Sequence, residues 1–199
     1  MDDHLSTQDL KERLALIEDM IAEGRRSTES WGWIFVLWGV AYYLAILWGA
    51  MSRSAWVWPV TMISACVLTG VLVSRKSHSH TNTTIGRAIG AIWVAAGISM
   101  FLVFLSLGTS GRIDLHLMVA VLGAMLGCAN AASSMILKWK MQFACAAVWW
   151  GCAVFACFGK GTPVTIAFLT GIFFCQIVFG IYGMVMDSRR RKSVGVVHA

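Results

Sequence analysis

Charged side chains are scarce in this sequence. Only 13% of the 199 residues are Asp, Glu, Lys or Arg, whereas 58% are hydrophobic, and the mean hydropathy is +0.70. Soluble domains carry about 25% charged residues. The composition therefore excludes an ordinary water-soluble domain and indicates a chain that lies in a lipid bilayer.

Almost all of the few charges lie outside six long apolar runs. Each run is long enough for a helix that crosses the hydrocarbon core, which takes about 20 residues. The alternation of polar and apolar residues that a membrane β-barrel needs is missing. The sequence therefore predicts an all-α, six-transmembrane-helix bundle, with spans at about 31–51, 55–74, 86–107, 113–137, 140–158 and 163–186.

These spans divide the chain into three parts. Residues 1–29 are predicted to form a cytoplasmic amphipathic helix with a linker, and residues 30–187 the transmembrane domain. Residues 188–199 are predicted to be a basic cytoplasmic tail.

No Asp, Glu, Lys or Arg lies near the middle of any span, and proton relays and voltage sensors need such groups. The zinc-protease pattern HExxH and the phosphate-binding pattern GxxxxGK[ST] are absent. A haem held by two intramembrane histidines is disfavoured, because His116 is the one histidine within a span. We therefore expect no enzyme activity, cofactor or metal site. The alternative is an enzyme centred on His116 and Asp114.

Basic residues are concentrated in alternate gaps between the spans. Thirteen of the 16 Lys and Arg residues fall in the segments that contain the two ends and the second and fourth loops. By the positive-inside rule, both termini are cytoplasmic. The net charge of +6 predicts contact with anionic lipid headgroups and not with nucleic acid. All six cysteines fall inside spans, so no structural disulfide is expected.

Before the first span, apolar residues follow a coiled-coil spacing. About two heptads make only a marginal helix in water, so this stripe needs a partner. We predict that it packs on another protein surface, such as the same helix in a second subunit; the alternative is docking on the loops of its own chain. Gly24 is expected to weaken the helix before Arg25 and Arg26. The stripe consists of Leu10, Leu14, Ile17 and Ile21.

The fourth span carries small residues at four-residue spacing, namely Gly123, Gly127 and Ala131. Small residues let helix backbones approach closely in lipid. This face is predicted to be a helix-packing surface, either within the chain or between subunits.

Polar and aromatic residues deep in the spans are candidates for a ligand site. Asn130 and Gln176 need partners in lipid. A cross-helix hydrogen bond between them, or to Ser133, Ser134 or Thr170, would supply these partners, and the alternative is that they line a ligand cavity. Trp93 and Trp149 could wall a flat site or fill the bundle, and His116 could hold a polar group of a ligand or be a satisfied interfacial histidine. The candidate ligand-binding set is therefore Trp93, His116, Asn130, Trp149 and Gln176.

Two resemblances follow from these patterns. The segment from Ile17 to Thr28 (IEDMIAEGRRST), followed by FVLWG at 35–39, resembles the start of uncharacterised small bacterial multi-pass membrane proteins, in which a short acidic helix runs into a Trp-Gly first span. This implies a protein of the bacterial inner membrane. A weaker resemblance is to the S-components of energy-coupling factor importers, six-helix proteins whose first helix docks a partner through small residues, here Ala41 and Ala45.

The sequence therefore predicts a non-enzymatic membrane subunit that assembles with itself or with a membrane partner protein, through the N-terminal helix and the small-residue faces. The alternative is a binder or carrier, as a transporter component, of a small apolar or neutral molecule.

Overall fold

A computed structural model describes residues 7–52, 54, 56–76, 84–112 and 114–197, and every regular element in those ranges is helical. The last two helices run on from one another through a short π-helical stretch, here called the π segment. The helices are α1 (Thr7–Ser30), α2 (Gly32–Ser52), α3 (Val57–Lys76), α4 (Thr84–Thr109), α5 (Leu115–Leu137), α6 (Lys140–Phe158), α7 (Thr162–Ile172), the π segment (Phe173–Val178) and α8 (Phe179–Val197).

Six of these helical stretches are long and apolar enough, by length and composition, to cross a membrane. This confirms the predicted all-α fold with six long apolar spans. The sixth stretch covers α7, the π segment and most of α8, from Thr162 to Arg190. The predicted and observed ends of the first five spans differ by at most two residues, and α6 begins and ends where the sequence placed it. The last helix continues 11 residues beyond its predicted end at 186.

Local chemistry explains several of the helix ends. The Asp114 carboxylate accepts a hydrogen bond from the Leu117 N–H at 2.7 Å and so caps α5. α5 stops at Lys138, which adopts the left-handed conformation (φ 50°) that closes many helices. Pro163 stands in the first turn of α7, where its missing N–H costs nothing.

The centre of the molecule is the antiparallel hairpin of α5 and α6. α7 and the π segment pack across this hairpin, and α2 packs on the π segment and α8. α3 lies outside against α2, whereas α4 lies against α5. The most deeply buried large side chains accordingly come from α5, α6 and α7, and include Trp149, Phe168, Leu137 and Ile172.

α1 differs from the prediction in one respect. The helix continues through Gly24 to Ser30, so residues 24–29 are no linker. Gly24 is buried where α1 approaches α4 and α5, and a Cβ there would lie 3.2 Å from both Ile85 Cβ and Leu137 Cδ2. The absent side chain permits this contact, and the contact offsets the low helix propensity of glycine.

The basic tail also differs, because α8 continues as a helix to Val197. Residues 188–197 are therefore the end of the sixth helix, and the last two residues of the predicted tail lie outside the described ranges.

Candidate functional site

Four buried polar side chains lie in the centre of the bundle. Asn130 and Ser133 come from α5, Gln142 from α6 and Gln176 from the π segment, and each is at most 3% exposed. We call these four residues the polar layer. Polar groups are costly to bury without partners, so such a group of residues needs an explanation.

The helix register places these residues at one level. Gly123 faces Ala153 and Gly127 faces Trp150, so in this antiparallel pair Ser133 lies beside Gln142, and Asn130 about one turn away. The Cys175 thiol reaches the Cys145 carbonyl at 3.7 Å, which brings the neighbouring Gln176 to the level of about residue 144. At a rise of 1.5 Å per residue, the polar layer is about 6 Å thick.

The polar layer contains five side-chain atoms without a hydrogen-bond partner: Asn130 Oδ1, Ser133 Oγ, both polar atoms of Gln142, and Gln176 Oε1. The Asn130 amide nitrogen donates to the Leu126 carbonyl of its own helix at 2.8 Å. That bond fixes the orientation of the amide and leaves Oδ1 free. The predicted cross-helix hydrogen bond between Asn130 and Gln176 is therefore wrong.

The other partners that the sequence could offer do not close the gap. Ser134 donates to the Ala131 carbonyl and Thr170 to the Ile166 carbonyl, each within its own helix. Because each hydroxyl bonds to a carbonyl of its own helix, it does not supply a hydrogen bond to a polar side chain on a neighbouring helix. The five atoms of the polar layer therefore remain without a hydrogen-bond partner.

The π segment is the irregular part of this region. It covers Phe173–Val178, so Gln176 lies within it. Gly39 of α2 lies directly against this turn, and a Cβ there would be 3.0 Å from Gln176 Cβ. π-helical turns inside α-helices occur frequently at functional sites, because they shift one side chain out of the regular register.

A second polar cluster lies at one end of the bundle. Arg190 of α8 places Nη2 and Nη1 each 3.3 Å from one of the two carboxylate oxygens of Glu29, and Arg25 Nε lies 3.8 Å from Oε1. The Arg25 guanidinium also lies over the Trp139 ring, 5.4 Å from its centre. We call the end marked by these four residues the basic end.

The carboxylate of Glu29 is 2% exposed, although both arginines are about two-fifths exposed. Burial raises the pKa of Glu29 above its ordinary value, and the opposing attraction of Arg190 and Arg25 is the smaller effect. This cluster therefore fixes α1 to α8, since it joins residues 161 positions apart in the sequence.

The predicted tryptophans occupy different surroundings. Trp149 is fully buried and its ring lies 6.1 Å from that of Phe168. Trp93 is partly buried and meets Phe35 edge-on at 5.3 Å, and Phe35 in turn meets Phe179 at 5.2 Å. Both tryptophans pack against other aromatic rings. Trp93 lies between α4 and α2, and Trp149 lies between α6 and α7. No ring contact joins the two tryptophans directly.

His116 lies at the opposite end of the bundle, away from the polar layer. Its Nε2 accepts a hydrogen bond from the Gly161 N–H at 3.3 Å. Gly161 has φ 61°, a conformation that favours glycine, and the bond ties the turn before α7 to the start of α5. His116 and Asp114 therefore both hold backbone N–H groups.

The small-residue face of α5 is covered within the chain. A Cβ on Gly123 would lie 2.7 Å from the Trp149 carbonyl oxygen, and one on Gly127 would overlap the Trp150 ring. Ala131 is buried on the same side. Of the two predicted uses of this face, packing within the chain is the one observed.

The apolar stripe of α1 is largely uncovered by the described residues. Leu10, Leu14 and Ile17 are 49%, 57% and 52% exposed, and Ile21 is half-buried. The alternative of docking on the protein's own chain is not seen for these first three residues within the described ranges.

Two residues of these clusters were missed by the sequence analysis: Gln142 and Glu29. Gln142 could have been found, because Gln142, Cys145, Trp149 and Cys152 follow a three-four-three spacing that marks the buried face of α6. The π segment has no sequence signal that we can identify.

Comparisons of the chain with protein-family models, with curated proteins and with solved structures give no match.

Proposed function

We propose that this chain spans a bilayer six times, with both ends at the cytoplasmic face, and acts as a non-enzymatic membrane subunit that pairs with a second copy of itself through α1. The six apolar helices and the bias of basic residues support the topology. A bacterial inner membrane fits the resemblance of the N-terminal segment. The exposed stripe of α1 is the observation that carries the assembly.

The stripe is unusual because it is apolar in a helix that otherwise carries charges. Leu10, Leu14 and Ile17 stand at coiled-coil positions, and their neighbours Lys11, Glu12, Arg13, Glu18 and Asp19 are charged. Apolar groups on a helix outside the membrane core gain free energy when a partner removes them from water. The C-terminal part of α1, from Gly24 to Ser30, is already held at the basic end, so the part that carries the stripe extends from an anchored segment.

The charges beside the stripe favour a second copy as the partner. With Leu14 and Ile17 at the a and d positions of a parallel pair, Arg13 takes position g and Glu18 the following position e. In a homodimer, Arg13 of each copy then faces Glu18 of the other, giving two attractive pairs. Such pairs select partner and orientation in coiled coils.

The other candidate surface and the candidate catalytic residues are already engaged in contacts within the chain. Gly123 and Gly127 are occupied by α6 and cannot form a subunit contact without unpacking the core. His116 and Asp114, the candidates for catalysis, hold backbone N–H groups. The proposal therefore rests on α1 alone.

The test is native mass spectrometry of the full chain, released from mild detergent, with two matched variants. We expect a dimer for the wild type, a monomer for Ile17→Asp and a dimer for Leu16→Asp. Leu16 is as exposed as Ile17, at 61% against 52%, but lies off the stripe. Because the two substitutions add the same charge to adjacent residues, a nonspecific effect of charge would change both.

A charge exchange tests the proposed partner. Arg13→Glu is expected to weaken the dimer, and addition of Glu18→Arg to restore it, since the two attractive pairs are then re-formed with reversed signs. A monomeric wild type, or equal behaviour of Ile17→Asp and Leu16→Asp, contradicts the proposal.

A further inference from the structure

The five unpaired atoms of the polar layer would be costly if no other molecule were bound among them. Leaving a buried donor or acceptor unsatisfied costs about 1–3 kcal/mol per group. The polar layer contains five such atoms on four side chains that are 0–3% exposed. Helices in lipid could have carried Leu or Ala at these positions without that cost.

The geometry calls for a bridging molecule. The register places the four side chains within about one helical turn of each other, yet none of the five atoms has a hydrogen-bond partner. Buried polar groups that make no direct bond can be satisfied by a bound molecule that bonds to several of them.

The chemistry of the layer limits what that molecule is. Three amides and a hydroxyl carry no charge, and a charged ligand in this interior would lack a counter-ion. The buried acid Glu29 does not supply one, because Arg190 and Arg25 already pair with it. Four of the five free atoms are oxygens, so the ligand must donate hydrogen bonds, and the Gln142 amide nitrogen can donate one back.

We propose that the polar layer is a binding site for a small uncharged molecule of the amide or polyol class, held by Asn130, Ser133, Gln142 and Gln176. Gln176 lies in the π segment, and Gly39 of α2 packs closely against the base of its side chain. The site is independent of the proposed pairing of α1, which lies beyond the basic end.

The test uses acetamide as the probe and acetate as its charged counterpart of nearly the same shape. The full chain is placed in lipid nanodiscs, and binding is measured by saturation-transfer NMR over a range of probe concentrations. We expect saturable binding of acetamide and none of acetate, because acetate would bring an unpaired charge into the layer.

Substitutions in the polar layer test whether acetamide binds there. Asn130→Leu and Gln142→Leu are each expected to weaken acetamide binding at least about tenfold, through loss of hydrogen bonds to the ligand. Both variants should remain folded, since Leu is close in size and removes unpaired polar atoms; Ser133→Ala is a milder third variant. Thr170→Val is the matched control: its hydroxyl is exposed and bonds only within its own helix, so binding should not change.

Three results would overturn the proposal. They are the absence of saturable acetamide binding in the wild type, which is the outcome if only water occupies the layer; equal binding of acetate; and unchanged binding in all three layer variants. Loss of the dimer with retained acetamide binding would contradict the assembly proposal alone.

Discussion

α4 and α5 are neighbours of similar length and are both strongly apolar, but they play opposite parts in the fold. α4 is the more apolar of the two, yet only 6% of its span is buried, against 44% for α5. α5 is rich in small and polar residues on its buried face, including Gly123, Gly127 and Asn130. In a helix bundle of this composition, small and polar residues mark the buried faces, and high hydropathy marks the surface.

The same contrast extends to the other helices. α3 resembles α4, with 11% of its span buried, whereas α6 and the last span resemble α5, with 39% and 44% buried. The two weakly buried helices attach to different parts of the core, α3 to α2 and α4 to α5. The stability of the fold should therefore depend on α5, α6 and α7 far more than on α3 and α4.

The largest expected effect comes from truncating a core ring. Trp149→Ala removes a fully buried side chain and should lower the free energy of unfolding by about 3–5 kcal/mol. Phe101→Ala on α4 removes a ring that is 55% exposed, and should change it by no more than about 0.5 kcal/mol. Unfolding of the purified protein in a denaturing detergent series measures both. Equal losses would show that α4 is packed as tightly as α6, contrary to the contrast drawn above.

Two glycine substitutions, one on α5 and one on α4, test the same comparison with smaller expected changes in the free energy of unfolding. Gly123→Ala sets a methyl group 2.7 Å from the Trp149 carbonyl oxygen, and should cost about 1–3 kcal/mol as α5 and α6 move apart. Gly97→Ala on α4 meets nothing within 4 Å and should gain up to about 1 kcal/mol of helix stability. The same unfolding series reports both variants. A stabilised Gly123→Ala protein would disprove the close contact of the central hairpin.

The smallest effect concerns the basic end. The folded-state pKa of Glu29 is raised above its ordinary value of 4.5, mainly by burial, so the neutral acid favours the folded state. The contribution of Glu29 to stability is therefore present below pH 4.5 and is lost as the pH rises through the raised folded-state pKa.

The measurement is the free energy of unfolding between pH 4.5 and neutrality. The wild type should lose more stability over this range than Glu29→Gln, which cannot ionise at this position. Glu18→Gln, a change at an exposed carboxylate, should follow the wild type. If Glu29→Gln lost stability in parallel with the wild type, the arginines would outweigh burial.

Much of the fold could be predicted from the sequence, because the apolar runs and their polar gaps are strong local signals. α6 was predicted to the residue, and caps such as Asp114 shift the ends of the other first five spans by no more than two residues. The end of the last helix was misjudged, because α8 continues through the basic residues to Val197. Gly24 was misjudged because the contact that stabilises α1 there, with Ile85 and Leu137, involves residues far apart in the sequence.

The candidate site was only half predictable. Asn130 and Gln176 stood out as amides in apolar runs, but Gln142 lies near the start of its span, where a polar residue is unremarkable. The level that these residues share depends on the register of α5, α6 and the π segment. That register is set by tertiary contacts such as Gly127 with Trp150, which no local pattern encodes.

The most direct test of the account is the sidedness of the chain in intact cells. A cysteine replaces either Lys160, in the turn between α6 and α7, or Lys140, at the start of α6. The chain also carries alanine in place of its three exposed cysteines, Cys66, Cys128 and Cys157. A membrane-impermeant maleimide should label Lys160→Cys in intact cells and Lys140→Cys only after the membrane is opened. Labelling of Lys140→Cys from outside, or equal labelling of the two positions before lysis, would contradict six crossings with both ends at the cytoplasmic face.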